Sequence, residues 1–85
     1  MYAVYILKSI KIPDKIYIGL TQDLERRLKE HNRGDSSYTS AYKPWEIETY
    51  IVFSNKKLAE NFEKYLKSGS GYAFLKKRLI PKLPK

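Results

Sequence analysis

Cysteine is absent from the 85 residues, so neither a disulfide frame nor a thiolate zinc site can hold this chain together. Histidine is nearly absent too, and the single His31 excludes a histidine-rich metal cluster. No apolar run approaches the roughly 18 residues that a membrane span requires. The opening Met1-Tyr2-Ala3-Val4-Tyr5 has neither a charged lead-in nor a cleavage site, so the expectation is a soluble, cytoplasmic protein with no membrane partner. A chain of this length allows one domain, 1–85, with room for one site and its scaffold; it buries about two thirds or less of its unfolded surface.

Acidic residues are scarce in one place. Residues 1–54 carry eight Lys/Arg against seven Asp/Glu, whereas residues 55–85 carry nine against two, which accounts for nearly all of the net charge of +8. Such a concentration on a small domain is the footprint of a phosphate-backbone partner, because neutralised phosphates release counterions. A lysine-rich surface that serves only solubility is the plainer alternative. Charge alone does not separate DNA from RNA.

What the chain does contain is organised around residues 17–31, Tyr-Ile-Gly-Leu-Thr-Gln-Asp-Leu-Glu-Arg-Arg-Leu-Lys-Glu-His. Its second half reads as a helix opened by Thr21, with Asp23 and Glu25 set against the positive end of the dipole. Positions 24, 27, 28 and 31 share one stripe, and that stripe is Leu, Arg, Leu, His. A guanidinium there must snorkel to solvent or meet a partner, since an unpaired charge in low dielectric is costly.

Before this helix, Tyr2 to Lys8 reads as a strand with Ala3, Tyr5 and Leu7 on one face. Pro13-Asp14 marks a turn, and Lys15 to Leu20 returns as the second strand of a hairpin, with Tyr17 and Gly19 on one face. A register that brings Tyr5 and Tyr17 to the same side is among those permitted, and Gly19 then leaves an open spot beside them. Ordinary half-buried packing is the alternative for both tyrosines. Gly34 supplies a helix stop. Asp35 to Pro44 reads as a loop of hydroxyls and tyrosines, suited to backbone contacts and base stacking or simply to solubility. Trp45 to Phe53 alternates Trp, Ile, Thr, Ile, Phe against Glu, Glu, Tyr, Val, as a strand with one wet face does.

Ser54 or Asn55 caps the next helix, whose apolar face is expected to be Leu58, Phe62, Tyr65 and Leu66. Glu63 lies at the margin of that face, where it either does chemistry or pairs with Lys67 at i, i+4. Ser68-Gly-Ser-Gly ends the helix. Phe74, Leu75 and Leu79 then dock a tail whose Lys76, Lys77 and Arg78 face outward, before Pro81 and Pro84 forbid continuation. The order is ββαβαα in an α+β domain.

Taken together, Ala3-Val4-Tyr5, Tyr17-Ile18-Gly19, Arg27, His31 and Glu63 resemble, in this order and at these spacings, the GIY-YIG endonuclease family in its small stand-alone bacterial branch. The likeness runs from Tyr2 to about Leu79. It implies a small three-stranded antiparallel sheet flanked by helices, and metal-dependent hydrolysis of nucleic-acid phosphodiesters, with DNA, branched or damaged, as the expected substrate and DNA repair as a family role. Tyr5 and Tyr17 stand at the motif tyrosines, Gly19 at the motif glycine, Arg27 at the catalytic arginine, His31 at the supporting histidine and Glu63 at the metal ligand. Gly19, Lys67, Lys76, Lys77 and Arg78 are the expected substrate-binding residues. The first tripeptide departs from the motif at Ala3, and Ala41-Tyr42-Lys43 stands where small members often carry another basic residue.

The chemistry expected of this set is an activated water, charge neutralisation at the phosphoryl oxygens and help for the departing oxygen. One Mg²⁺ or Mn²⁺ on Glu63 suits the last task, because hard ions accept a single carboxylate with waters and substrate oxygens. Arg27 would hold the scissile phosphate. A tyrosine, Tyr5 slightly ahead of Tyr17, would take the proton from water. A free phenol is ionised about one part in a thousand at pH 7, a handicap of about 4 kcal/mol, and a guanidinium about 4 Å away is expected to offset it. His31 either holds a tyrosine hydroxyl or serves as a second base. The alternative function is a non-catalytic nucleic-acid-binding module on the same fold; a protein-interaction domain has only the exposed aromatics in its favour.

Overall fold

The computed structural model describes residues 1–80. The expected stop at Pro81 and Pro84 lies outside the described residues. Strands β1 (Tyr2–Ser9), β2 (Ile16–Thr21) and β3 (Trp45–Phe53) form one antiparallel sheet in the order β2-β1-β3, with β1, the most buried, in the middle. Helix α1 (Leu24–Arg33) and the short α2 (Ser37–Ala41) lie between β2 and β3 in the chain. Helices α3 (Lys56–Leu66) and α4 (Gly69–Phe74), followed by a π-helical turn at Leu75–Leu79, come after β3. The fold is thus α+β with the order ββαβαα, and α2 is one extra turn inside the segment expected to be a loop.

The hairpin register pairs Tyr5 with Gly19 and Leu7 with Tyr17, which puts both tyrosines on one face. The opposite face of β1 carries Val4 and Ile6, which pack with Ile18, Ala59, Leu66 and Leu75 into the apolar core. Helices therefore cover both faces: α3 and the π turn on the Val4 side, α1 and α2 on the Tyr5 side.

Strand β3 serves both sides because it slips phase. Ile6 pairs with Thr49 but Leu7 pairs with Ile47, so Glu48 is an extra residue in a bulge. Beyond it, Trp45 and Ile47 turn to the Tyr5 side, while Thr49, Ile51 and Phe53 stay on the Val4 side. The five residues expected on a single inward face are thus divided between two cores. Trp45 is buried and its indole N–H donates to the Thr39 carbonyl at 2.8 Å. Asn32 reinforces this corner, accepting from the Trp45 backbone N–H at 2.6 Å and donating to the Trp45 carbonyl at 3.1 Å.

Asp23, not Thr21, caps α1, its carboxylate accepting from the Arg26 N–H at 3.1 Å. Thr21 ends β2 and its hydroxyl takes the Asp23 N–H at 3.1 Å instead, so the first free donor of the turn is satisfied one step earlier in the chain. Gly34 closes α1 at φ 91°, as the stop signal requires. Asn55 caps α3 through the Leu58 N–H at 3.0 Å. That helix is rotated from the expected face: Leu58 and Tyr65 are exposed, whereas Ala59 and Leu66 are fully buried. Small Ala59 lets α3 approach the sheet closely, and the rotation leaves Glu63, on the Ala59 and Leu66 line, partly buried.

Candidate active site

Four of the five expected catalytic side chains meet on the Tyr5 side of the sheet. Tyr5 comes from the central strand and is 1% exposed; its ring lies over Gly19 on β2, where any β-carbon would overlap the phenol. The open spot beside Gly19 is thus filled by the motif tyrosine itself. Tyr17, two residues along β2, stacks with Tyr5 at a ring-centroid distance of 6.2 Å and packs against His31 at 4.6 Å. The Tyr5 hydroxyl and His31 Nε2 are hydrogen-bonded at 3.0 Å, and His31 Nδ1 and Thr39 Oγ1 at 2.9 Å. Both His31 and Thr39 are fully buried.

Arg27, one turn before His31 on α1, resolves its placement with Glu30. Its guanidinium donates to the carboxylate at 2.8 Å, and Arg26 donates to the other oxygen at 3.1 Å. Glu30 holds the arginine's proton affinity up, and the Tyr5 and Tyr17 phenols face the same guanidinium closely enough to add to that effect. The Arg27 and Arg26 contacts hold the Glu30 carboxyl below the usual carboxylate range. An open cleft of about 200 Å³, lined by Thr21, Gln22, Asp23, Arg26, Arg27 and Glu30, lies beside this pair.

The proton affinities around the phenols follow burial first. Tyr5 is pushed up to about 12 by burial, and the opposing pull of Arg27 is outweighed; the Tyr17 phenol and the Glu63 carboxylate add to the rise. The guanidinium therefore does not make Tyr5 a phenolate, contrary to the expectation from charge separation alone. His31 is pushed down by burial and then by Arg27, so its imidazole is neutral at pH 7.

Glu63 sits apart from the four. Its side chain is 22% exposed and its Oε2 accepts from Lys67 at 3.0 Å, yet its charge is felt at the Tyr5 phenol. Among the described residues no group of three or more His, Cys, Asp or Glu could cage a metal ion. The oxygen chemistry of one partly buried carboxylate still fits a hard divalent ion that keeps most of its ligands as water and phosphate. Lys67 is engaged with this carboxylate. Lys76 lies over the Tyr72 ring at 5.5 Å, and Lys76, Lys77 and Arg78 are exposed on the π turn whose Leu75 packs into the Val4-side core. The structure thus sets these three cations apart from the phenols.

Thr39 and Glu30 were missed by sequence reasoning. Glu30 was legible as the i+3 partner of Arg27 and i+4 partner of Arg26. For Thr39 the available signal was that a buried histidine has two ring nitrogens to satisfy, in a chain whose next segment is rich in hydroxyls.

A sheet carrying two phenols over a motif glycine, with an arginine and histidine one turn apart on the following helix, defines a GIY-YIG-type catalytic domain. The match to the family model for the GIY-YIG catalytic domain spans residues 1–76, and the chain belongs to that family. Among curated relatives it is 41% identical over 73 residues to the structure-specific endonuclease subunit SLX1 of Candida dubliniensis, covering 76% of this chain and 25% of that protein. It is 38% identical over 68 residues to a UPF0213 protein of Clostridium perfringens, covering 79% of this chain and 71% of that one. The chain spans about a fifth of the length of the first SLX1 relatives it matches. The solution NMR structure of a UPF0213 protein from Bacillus halodurans is 28% identical, covers 95% of this chain and 89% of that one, and superposes with a TM-score of 0.56.

Proposed function

We propose that this protein is a divalent-metal-dependent endonuclease that hydrolyses DNA phosphodiester bonds. The observation that carries this reading is the convergence of Tyr5, Tyr17, Arg27 and His31, drawn from three elements, beside a cleft bordered by two arginines. Membership in a catalytic-domain family and relatives named as structure-specific endonuclease subunits support it.

The scissile phosphate is held by Arg27, whose planar fork suits two phosphoryl oxygens. A water on the far side of phosphorus attacks, and its proton passes to the Tyr5 oxygen while the Tyr5 proton moves to His31 Nε2. This transfer suits the buried environment of the phenol. Ionising a group with a pKa of about 12 ahead of attack would cost about 7 kcal/mol at pH 7, whereas a concerted relay never forms the free phenolate. Tyr17 shields the pair from bulk water on the β2 side. Glu63 would hold one Mg²⁺ or Mn²⁺, which when bound neutralises phosphoryl charge and stabilises the departing 3′ oxygen. That oxygen takes its proton from solvent.

The test is a cleavage panel of single-stranded, duplex, flap and four-way DNA and structured RNA with Mn²⁺ or Mg²⁺. The wild type is expected to nick at least one substrate, and Glu63→Gln and Arg27→Ala to lose cleavage with thermal midpoints within a few degrees of wild type. Salt-dependent binding with no nicks under any metal condition would mark a non-catalytic binding module.

A further inference from the structure

We propose that Thr39 is the positioning residue of the site: its side-chain oxygen fixes the tautomer of His31, holding the imidazole proton on Nδ1 so that Nε2 faces Tyr5 as an acceptor. The geometry comes from a segment that neither the motif nor the mechanism uses. Thr39 lies on α2, is 0% exposed, and is locked from two sides: its carbonyl accepts the Trp45 indole N–H at 2.8 Å, and its hydroxyl donates back to the Ser36 carbonyl at 3.3 Å.

A hydroxyl has one proton. With that proton on Ser36, Thr39 Oγ1 meets His31 Nδ1 at 2.9 Å as an acceptor, so Nδ1 carries hydrogen and Nε2 has a lone pair. The other end of the ring gives the same answer independently. Tyr5 faces His31 Nε2 at 3.0 Å and also lies beside Arg27, which has donors only. Were Nε2 protonated, the Tyr5 oxygen would face two donors and its own proton would lose the acceptor at 3.0 Å. The titratable groups around the ring are Tyr5 from β1, Tyr17 from β2 and Arg27 and Glu30 from α1; none of them reaches Nδ1. Thr39 is the group that does.

The catalytic consequence rests on the nuclease reading; the tautomer does not. Because His31 is the chain's one histidine, its ring nitrogens give an uncrowded long-range ¹H–¹⁵N spectrum. The wild type at pH 7.5 is expected to give the Nδ1–H pattern. Thr39→Val, nearly isosteric but without an acceptor, is expected to shift the ring toward Nε2–H and to lower kcat about 10- to 100-fold at unchanged KM, the size of effect that follows loss of a partner orienting a functional imidazole. Thr39→Ser restores the hydroxyl and is expected to restore both readouts, which a purely packing role would not predict. A wild-type Nε2–H pattern, or a Thr39→Val protein whose tautomer is unchanged, overturns the proposal. A wild type that cleaves nothing counts against the nuclease reading, and the spectra still decide the role of Thr39.

Discussion

At Tyr5 two forces act on one proton, and their balance can be measured. Burial raises the phenol from its ordinary 10 to about 12 against the pull of Arg27, so the folded state prefers the neutral form more than the unfolded chain does. The stability this contributes is fully present below pH 10 and is lost as pH rises through about 12. Two units correspond to about 2.7 kcal/mol, so wild-type stability is expected to fall by about 1–3 kcal/mol more than that of Tyr5→Phe between pH 10 and 12, read from urea melts of the pair. His31 shifts the other way. Its lowered affinity means that the unfolded chain takes up a proton near pH 6.5 before the folded one does, so its contribution is present above 6.5 and fades on acidification. Gly19 belongs to the same balance, since the Tyr5 ring occupies the space of its missing side chain. Gly19→Ala is expected to push the phenol out of line with His31, costing about 1–3 kcal/mol of stability and most of the cleavage activity, measured by thermal melt and nicking assay on the same protein.

Among the elements, those whose pattern is local were legible before any coordinates, and those set by tertiary contact were not. The hairpin, the Gly34 stop and the Asn55 cap follow from residues within a few positions of one another, and the placement of Tyr5 and Tyr17 on one face follows from period two once the register is fixed. The bulge at Glu48 left no such signal: Trp45, Ile47, Thr49, Ile51 and Phe53 alternate without a break, and only the demand of two helical layers on opposite faces divides them. The rotation of α3 is of the same kind, because Ala59 gives a weaker apolar signal than Leu58 yet admits the closer approach. The five-residue α2 is stabilised by the Trp45 and His31 contacts more than by its own sequence, which reads as loop. The bulge makes a sharp prediction. Deleting Glu48 leaves Ile47 opposite Leu7 and Trp45 opposite Ser9 in an unbroken ladder, so both keep the Tyr5 side, and the deletion, like Glu48→Ala, is expected to keep cooperative unfolding by circular dichroism; loss of cooperativity in the deletion alone would show that the local twist of the bulge, not the phase it sets, is what the fold needs.

Across the whole molecule, the proposed function implies that the two faces of the sheet divide the work of binding and of chemistry. The phenols, Arg27 and His31 stand on one face, whereas Lys76, Lys77 and Arg78 project from a turn whose Leu75 is buried in the core of the other. The formal charge of +8 is therefore not focused on the pocket alone. Cations remote from the reacting atoms hold a polyanion by counterion release without altering the barrier, so their loss should be felt in affinity and its salt dependence but not in turnover. In the triple variant Lys76→Ala, Lys77→Ala, Arg78→Ala, the slope of log affinity against log salt is expected to fall by about 2 to 3 on duplex DNA, with single-turnover cleavage at saturating DNA within about threefold of wild type. Arg27→Ala, by contrast, is expected to change that slope by no more than about one while stopping the reaction. If the triple variant instead loses turnover at saturation with an unchanged slope, those cations act at the scissile phosphate, and the division of labour between the two faces is wrong.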